Sequence, residues 1–123
     1  MISFDGFTIE DGSPIYLQII LYIKRCIIAG TIVDGDELPS RRVLSALLGV
    51  NPNTIQKAYR LLEDEGLIQS HSGAKSCVVL DSRTLQRLRA ELLESDIKNI
   101  ISAMKQTGLE KEEVISLIKK YWE

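Results

Sequence analysis

Two short helical segments lie between residues 40 and 66, and the turn that joins them constrains the fold more than any other feature. The first segment begins after Ser40, whose side chain can accept a hydrogen bond from a first-turn N–H, and it ends at Gly49. Asn51 then caps a second helix, and Pro52 occupies its first position, where a missing N–H costs nothing. Two helices joined by so short a turn predict a helix-turn-helix.

Apolar residues recur at helical spacing in both segments and predict which face of each helix is buried. In the first helix they are Val43, Leu44, Leu47 and Leu48, and in the second they are Ile55, Ala58, Tyr59 and Leu62. The second helix should run to Glu65 and stop at Gly66. Its opposite, polar face carries Asn53, Gln56, Lys57, Arg60 and Asp64. We therefore expect this polar face to be open to a partner or to solvent.

A further helix precedes this pair, and a hairpin follows it. Ser13 and Pro14 predict the cap and first residue of the preceding helix, and Gly30 predicts its end. Residues 31–39 contain a turn and a proline and should form a loop with a short strand. LIQS, HSGAKS and CVVL, at residues 67–80, predict a strand, a turn and a strand. Three helices and a hairpin predict a winged helix-turn-helix domain over residues 1–80, mainly α with a small β-hairpin.

From residue 81 the pattern returns to helix, with Ser82 as the expected cap and Gly108 as the stop. The first apolar stripe is Leu85, Leu88 and Leu92, and the second is Leu93, Ile97, Ile100 and Met104. The change of stripe near residues 94–96 indicates a bend or a change of partner. A last helix carries Val114, Ile115, Ile118, Tyr121 and Trp122. These apolar faces are larger than two helices can bury against each other. We therefore expect residues 81–123 to be a C-terminal helical dimerisation segment.

Charge is unevenly distributed along the 123 residues. The net charge is -2, but residues 39–90 hold eight basic and four acidic side chains, whereas the remainder holds seven and thirteen. A positive potential that could meet phosphates is therefore confined to the middle of the chain. The length and the 45% of apolar residues allow one compact domain with at most an appendage.

The chain carries few residues suited to catalysis, metal binding or membrane insertion. Cys26 and Cys77 lie far apart without CxxC spacing, and no secretory signal precedes them, so we expect a reduced, cytoplasmic protein. The most apolar stretch, residues 14–33, is too short and too charged to cross a bilayer. With one histidine, His71, and no GxSxG motif or phosphate-binding glycine loop, we expect no enzyme, no metal site and no cofactor.

Residues 38–79, LPSRRVLSALLGVNPNTIQKAYRLLEDEGLIQSHSGAKSCVV, resemble the DNA-binding domain of the GntR family of bacterial transcription regulators. Within them, GVNPNTIQKAYRLLEDEGLI is similar to the YtrA-like subgroup. The resemblance extends to PIYLQIILYIKRCIIAG near the N-terminus, and the short tail also fits that subgroup. It implies a sequence-specific, homodimeric regulator, in the repressor role, that binds double-stranded DNA at an inverted-repeat operator. A small-molecule effector is not identified.

The resemblance also implies which residues meet DNA. In this family the residues matching Arg42, Asn53 and Gln56 contact DNA. Asparagine and glutamine offer the donor and acceptor that adenine requires, whereas Lys57 and Arg60 can reach guanine or phosphate. The predicted DNA-binding set is Ser40, Arg41, Arg42, Asn51, Asn53, Thr54, Gln56, Lys57, Arg60, His71, Gly73 and Lys75.

The predicted wing departs from the family's pattern of glycine, basic residue, glycine and threonine before an aromatic residue. Gly73 is kept, but Ala74 and Lys75 follow it, and Ser76 and Cys77 replace the last two residues. Insertion of this wing into the minor groove is therefore not implied, and Lys75 is expected to meet a phosphate instead.

Other interpretations of these residues remain open. Capping alone explains Asn51, and the polar face of the second helix could simply be solvated. Arg41 and Arg42 oppose the helix dipole, which favours a role other than helix stability. A winged helix can also serve as a protein-interaction module without DNA binding, and this is the alternative function.

Overall fold

The structure is a computed structural model that describes residues 2–71 and 75–123. Its helices are α1 (Ile15–Ala29), α2 (Arg41–Leu48), α3 (Pro52–Asp64), α4 (Ser82–Gln106) and α5 (Lys111–Tyr121). Its strands are β1 (Glu37–Leu38), β2 (Ile68–His71) and β3 (Lys75–Val78), which form an antiparallel sheet in the order β1-β3-β2. The predicted fold class, mainly helical with a small hairpin and C-terminal helices, is confirmed.

The helix-turn-helix has the caps that the sequence predicts. The Ser40 hydroxyl accepts a hydrogen bond of 3.1 Å from the N–H of Val43, the third residue of α2. Gly49 ends α2 in the left-handed region with φ of 68°, a conformation that costs glycine little. Asn51 caps α3 by accepting a 2.8 Å hydrogen bond from the N–H of Asn53. The short turn between the two helices is therefore specified locally.

The start of α1 differs from the prediction by one residue. Pro14, with an extended backbone, is the N-cap, and α1 begins at Ile15 rather than at Pro14. No side chain caps this end; instead, the backbone N–H groups of Leu17 and Gln18 donate to the Pro14 carbonyl. Gly30 ends the helix in the left-handed region, as predicted.

One apolar core fills the helices and the sheet of the N-terminal part. Its fully buried side chains include Ile19, Ile23, Leu38, Leu44, Ile55, Tyr59, Leu62, Leu67 and Val78. The predicted burial of Val43 and Leu47 is wrong, because these side chains are 54% and 65% exposed. The inward face of α2 instead consists of Leu44, Leu48 and the buried Ser45, whose hydroxyl donates to the Val50 carbonyl inside the turn.

The sheet is more extensive than the predicted hairpin. Both hairpin strands reach farther toward the tip than expected, with His71 paired to Lys75. The short strand expected before Pro39 is β1, and it adds to β3 with Leu38 opposite Ser76. The N–H of Ile2 donates to the Glu37 carbonyl at 3.0 Å, and this buries an N-terminal segment that the sequence analysis did not identify.

The chain forms two compact units, one ending at Leu88 and one spanning Arg89–Glu123. Leu88 is buried in the core of the first unit. The cap of α4 is Asp81 rather than the predicted Ser82, because the Asp81 carboxylate accepts a 2.7 Å hydrogen bond from the N–H of Thr84. α4 is continuous helix through residues 94–96. The functional boundary at residues 80 and 81 stays a prediction.

The second unit exposes most of its large apolar side chains. They are Leu93, Ile97, Ile100, Ile101, Ile115, Leu117, Ile118, Tyr121 and Trp122, and Trp122 is 80% exposed. A groove of about 630 Å³ lies among the end of α4, the connection at Gly108 and the start of α5. This space is an open groove rather than an enclosed pocket, since its isoleucines are partly exposed. None of the helices described is long and apolar enough to cross a membrane.

Candidate nucleic-acid interface

The N-terminus of α3 is a capped first turn that carries short polar side chains. Pro52 is the first helical residue, and the Asn51 side chain and backbone carbonyl accept from the N–H groups of Asn53 and Thr54 at 2.8 and 2.9 Å. First-turn N–H groups carry partial positive charge, and an anion beside them is stabilised. This end of α3 can therefore lie against a phosphate.

The buried face of α3 fixes its rotation about the helix axis. Ile55, Ala58, Tyr59 and Leu62 are all fully buried, as predicted. The Tyr59 hydroxyl donates a 2.7 Å hydrogen bond to the carbonyl of Pro39, which directly precedes the cap of α2. Burial raises the pKa of the Tyr59 phenol, and the nearby Arg41 guanidinium partly offsets that rise. The phenol therefore stays protonated and joins the two helices of the motif.

The opposite face of α3 brings four of the predicted DNA-binding residues together. Asn53, Gln56, Lys57 and Arg60 are all exposed, whereas Thr54 is half-buried at the edge of this row. Asn53, Gln56 and Arg60 are spaced by three and four residues, so their side chains lie along one stripe of the helix. This row begins at the capped N-terminus, with the two amide side chains, Asn53 and Gln56, nearest that end and Arg60 beyond the middle of α3.

Two of the basic side chains around this row contact aromatic rings of the protein. The Arg41 guanidinium carbon lies 5.3 Å from the centroid of the Tyr59 ring, and Lys57 Nζ lies 4.1 Å from that of the Tyr16 ring. The Arg41 Nε is buried and has no hydrogen-bond partner among the described residues. Arg41 and Lys57 are thus stacked on aromatic rings, within the range of cation–π attraction.

Arg42 and Arg60 are exposed, and neither has an ion pair or aromatic partner within residues 2–71 and 75–123. Arg42 is the second residue of α2, two residues after the Ser40 cap. A phosphate could approach either guanidinium without displacing an internal contact. These two arginines are accordingly the cations most available to DNA.

The wing contributes His71 and Lys75, which are paired across the hairpin and exposed. Lys75 Nζ lies 3.8 Å from a carboxylate oxygen of Glu37 on β1, although the lysine side chain remains 71% exposed. A contact this long and this exposed is weak, so it leaves the lysine available to a phosphate. Gly73, the remaining predicted residue of the wing, lies outside the described residues.

Two residues at this surface were missed by the sequence analysis. Tyr16 approaches Lys57 from α1, and Glu37 approaches Lys75 from β1. Both contacts join segments about forty residues apart in the chain, and helical or strand periodicity carries no signal for such pairs. Within the part of the chain that is described, no group of three or more histidine, cysteine, aspartate or glutamate side chains could hold a metal ion.

Comparison with known proteins agrees with this geometry. The family described as "Bacterial regulatory proteins, gntR family" matches residues 15–78. The HTH-type transcriptional repressor YtrA of Bacillus subtilis is 34% identical over 112 residues, which cover 90% of this chain and 86% of YtrA. A GntR family transcriptional regulator from Listeria monocytogenes superposes with a TM-score of 0.80 at 38% identity and covers 91% of this chain and 98% of that one.

A solved complex with DNA is also similar to part of this chain. AraR(DBD) in complex with operator ORX1 matches at 31% identity and a TM-score of 0.52, over 63% of this chain and 93% of that one. The fold and these relatives define a winged helix-turn-helix, DNA-binding transcription regulator, a class whose members are not enzymes. Among such regulators, the chain belongs to the GntR family.

Proposed function

We propose that this regulator acts as a homodimeric repressor in the cytoplasm and binds an inverted-repeat operator through the N-terminal half of α3. The observation that carries the proposal is the row of Asn53, Gln56 and Arg60, exposed along one stripe that begins at a capped helix N-terminus. The repressor role is supported by the name of the similar YtrA of Bacillus subtilis.

Base recognition in this proposal depends on the side chains at the start of α3. Asn53 and Gln56 each carry an amide that can donate to and accept from the major-groove edge of adenine, and neither makes a side-chain hydrogen bond among the described residues. One good bidentate contact discriminates between bases by about 1–3 kcal/mol. A single helix therefore gives modest specificity, and tight selective binding requires two copies.

Phosphate contacts are assigned to the basic side chains around the row. They are Arg41 and Arg42 of α2, Lys57 and Arg60 of α3, and Lys75 of the wing. Ser40, Asn51, Thr54 and His71 flank them, and Gly73 is assigned to the wing tip by family resemblance. Because phosphate contacts release counterions, each one makes the affinity more dependent on salt.

Dimerisation is assigned to the second unit. Its exposed apolar residues form part of both α4 and α5, and Ile97, Ile101, Ile115 and Ile118 all border the groove. Contiguous apolar surface of this kind is typical of an interaction site. Two copies joined there would present two α3 helices to two half-sites about 34 Å apart, one turn of DNA.

A binding titration of the full chain against DNA from its own promoter, at two salt concentrations, tests the proposal. We expect a protected inverted repeat and a marked loss of affinity at the higher salt. Gln56→Ala should relax specificity at one base position, whereas Arg60→Ala should weaken all sequences similarly and lower the salt slope by about one.

Three results would contradict the proposal. The first is the absence of any protected site, and the second is an affinity that does not depend on salt. The third, which concerns only the base-reading role of Gln56, is an equal loss of affinity on every sequence for Gln56→Ala.

A further inference from the structure

One lysine on the exposed side of α3 already has a partner inside the protein. Lys57 Nζ lies 4.1 Å from the centroid of the Tyr16 ring, well within the about 6 Å over which a ring face attracts a cation. Tyr16 is the second residue of α1 and packs half-buried against the core, whereas Lys57 is exposed. A flexible side chain of α3 is therefore held by an anchored residue of another helix.

We infer that Tyr16 is a positioning residue of the DNA interface, whose ring holds Lys57 in the conformation in which its ammonium group receives a DNA phosphate. The inference rests on the proposed function, that α3 meets DNA. A lysine ammonium carries three N–H donors, and a ring face covers only one side of it. Because Lys57 remains exposed, the other side is open to a phosphate oxygen.

The energetic reason is preorganisation. Immobilising a long, rotamer-rich side chain during binding costs conformational entropy. Here the ring restricts the lysine before DNA arrives, so part of that cost is already met in the free protein.

The Arg41 and Tyr59 pair has the same chemistry but is less suited to a test. Tyr59 is fully buried and hydrogen-bonded to the Pro39 carbonyl, so its removal would damage the core as well as the ring contact. Tyr16 is only half-buried, and leucine can replace its apolar contacts while removing the π face. Tyr16 therefore allows the ring to be tested separately from the fold.

The test compares Tyr16→Leu, Tyr16→Phe, Lys57→Met and the Tyr16→Leu/Lys57→Met double variant in promoter-DNA titrations at two salt concentrations. Tyr16→Leu should weaken binding on all sequences by about 2- to 5-fold, which corresponds to an exposed cation–π contact. Tyr16→Phe keeps the ring and should stay within about twofold of the native chain. In the Lys57→Met background, Tyr16→Leu should cause no further loss. Lys57→Met should lower the salt slope by about one, whereas Tyr16→Leu should keep it because the cation remains.

A second measurement needs no substitution. In the native chain, the side-chain methylene protons of Lys57 should show upfield ring-current shifts in NMR spectra, and those of Lys98, which pairs with Glu94, should not. The inference requires these Lys57 shifts to persist when promoter DNA is bound, because the ring and the phosphate hold the ammonium group together.

Several outcomes would overturn the inference. Tighter binding by Tyr16→Leu, or loss of the Lys57 shifts in the complex, would mean that the ring withholds the lysine from DNA. Equal losses for the leucine and phenylalanine variants would assign the effect to the hydroxyl group. An undiminished loss in the Lys57→Met background would assign it to the fold. A native chain that fails to bind its promoter would instead refute the proposed function.

Discussion

The two compact units of this protein differ in whether they bury their apolar side chains. The unit ending at Leu88 buries isoleucine, leucine and tyrosine side chains in one core. The unit over Arg89–Glu123 has no buried side chain, and Tyr121 and Trp122 at its end are mostly exposed. A core contributes to folding within one chain, whereas an uncovered apolar face contributes only when something covers it. The first unit is thus complete as a fold, and we propose that a partner surface covers the second.

The largest expected effect tests the core of the first unit. Leu44→Ala removes a fully buried side chain from α2 and should lower the free energy of unfolding by about 2–5 kcal/mol, through lost burial and the cavity left behind. Leu47→Ala, on the same helix but at a 65% exposed position, is the matched control and should change it by no more than about 0.5 kcal/mol. Urea unfolding measures both variants, and equal losses would contradict the burial described for α2.

The next effect tests the exposed face of the second unit. Ile118→Lys places a charge at the groove and should weaken self-association by about 3 kcal/mol or more, because a charge buried without a partner is strongly unfavourable. Ser116→Lys, on the same helix but about 200° around its axis, is the control and should leave association intact. Sedimentation at micromolar concentration distinguishes a dimer from the 13.8 kDa monomer. A native chain that sediments only as the monomer would refute the dimer.

A smaller effect tests the cap of α3. Asn51→Ala removes the acceptor of the Asn53 N–H and should cost about 0.5–2 kcal/mol of stability, whereas Asn51→Ser keeps an acceptor and should cost less. Thermal unfolding in the absence of DNA measures this difference. If alanine and serine are equally harmless to stability yet both weaken DNA binding, Asn51 is a DNA contact rather than a cap.

The smallest effect concerns the start of α4. The hydrogen bond from the Thr84 N–H lowers the pKa of the Asp81 carboxyl below its ordinary value of 3.8, so the folded state favours the carboxylate. This contribution to stability is present above pH 3.8 and is lost as the pH falls through the lowered pKa. Asp81→Asn should therefore be slightly less stable than the native chain at neutral pH, and the difference should vanish in acid. Thermal unfolding across pH measures it, and a constant difference would contradict the cap.

The sequence predicted those features of the fold that depend on local chemistry. Ser40, Gly49 and Asn51 define the helix-turn-helix because caps and left-handed turns act within a few residues. Periodicity alone did not predict that Val43 and Leu47 would be exposed, since four apolar residues in an eight-residue helix do not specify which of them face the core. That choice is made by the packing of α2 against the rest of the domain.

In the candidate site, too, local features could be predicted from the sequence and tertiary contacts could not. The exposed row on α3 follows from the spacing of the buried residues, so Asn53, Gln56 and Arg60 could be selected from the sequence. The partners of the basic side chains could not, because Tyr16 lies on α1 and reaches Lys57 only through the tertiary fold. The sequence therefore indicated which side chains are exposed for a possible DNA contact. The structure showed which of them already contact another side chain of the protein.

The central claim is that the first unit binds DNA tightly only when two copies of the chain pair through the second unit. The spacing between the operator half-sites tests this claim most directly. The measurement is the affinity of the full chain for its protected inverted repeat, compared with the same repeat carrying an insertion of about five base pairs between the half-sites. Half a helical turn places the half-sites on opposite faces of the duplex. We expect the insertion to reduce affinity to that of a single half-site. Unchanged affinity after the insertion would contradict it.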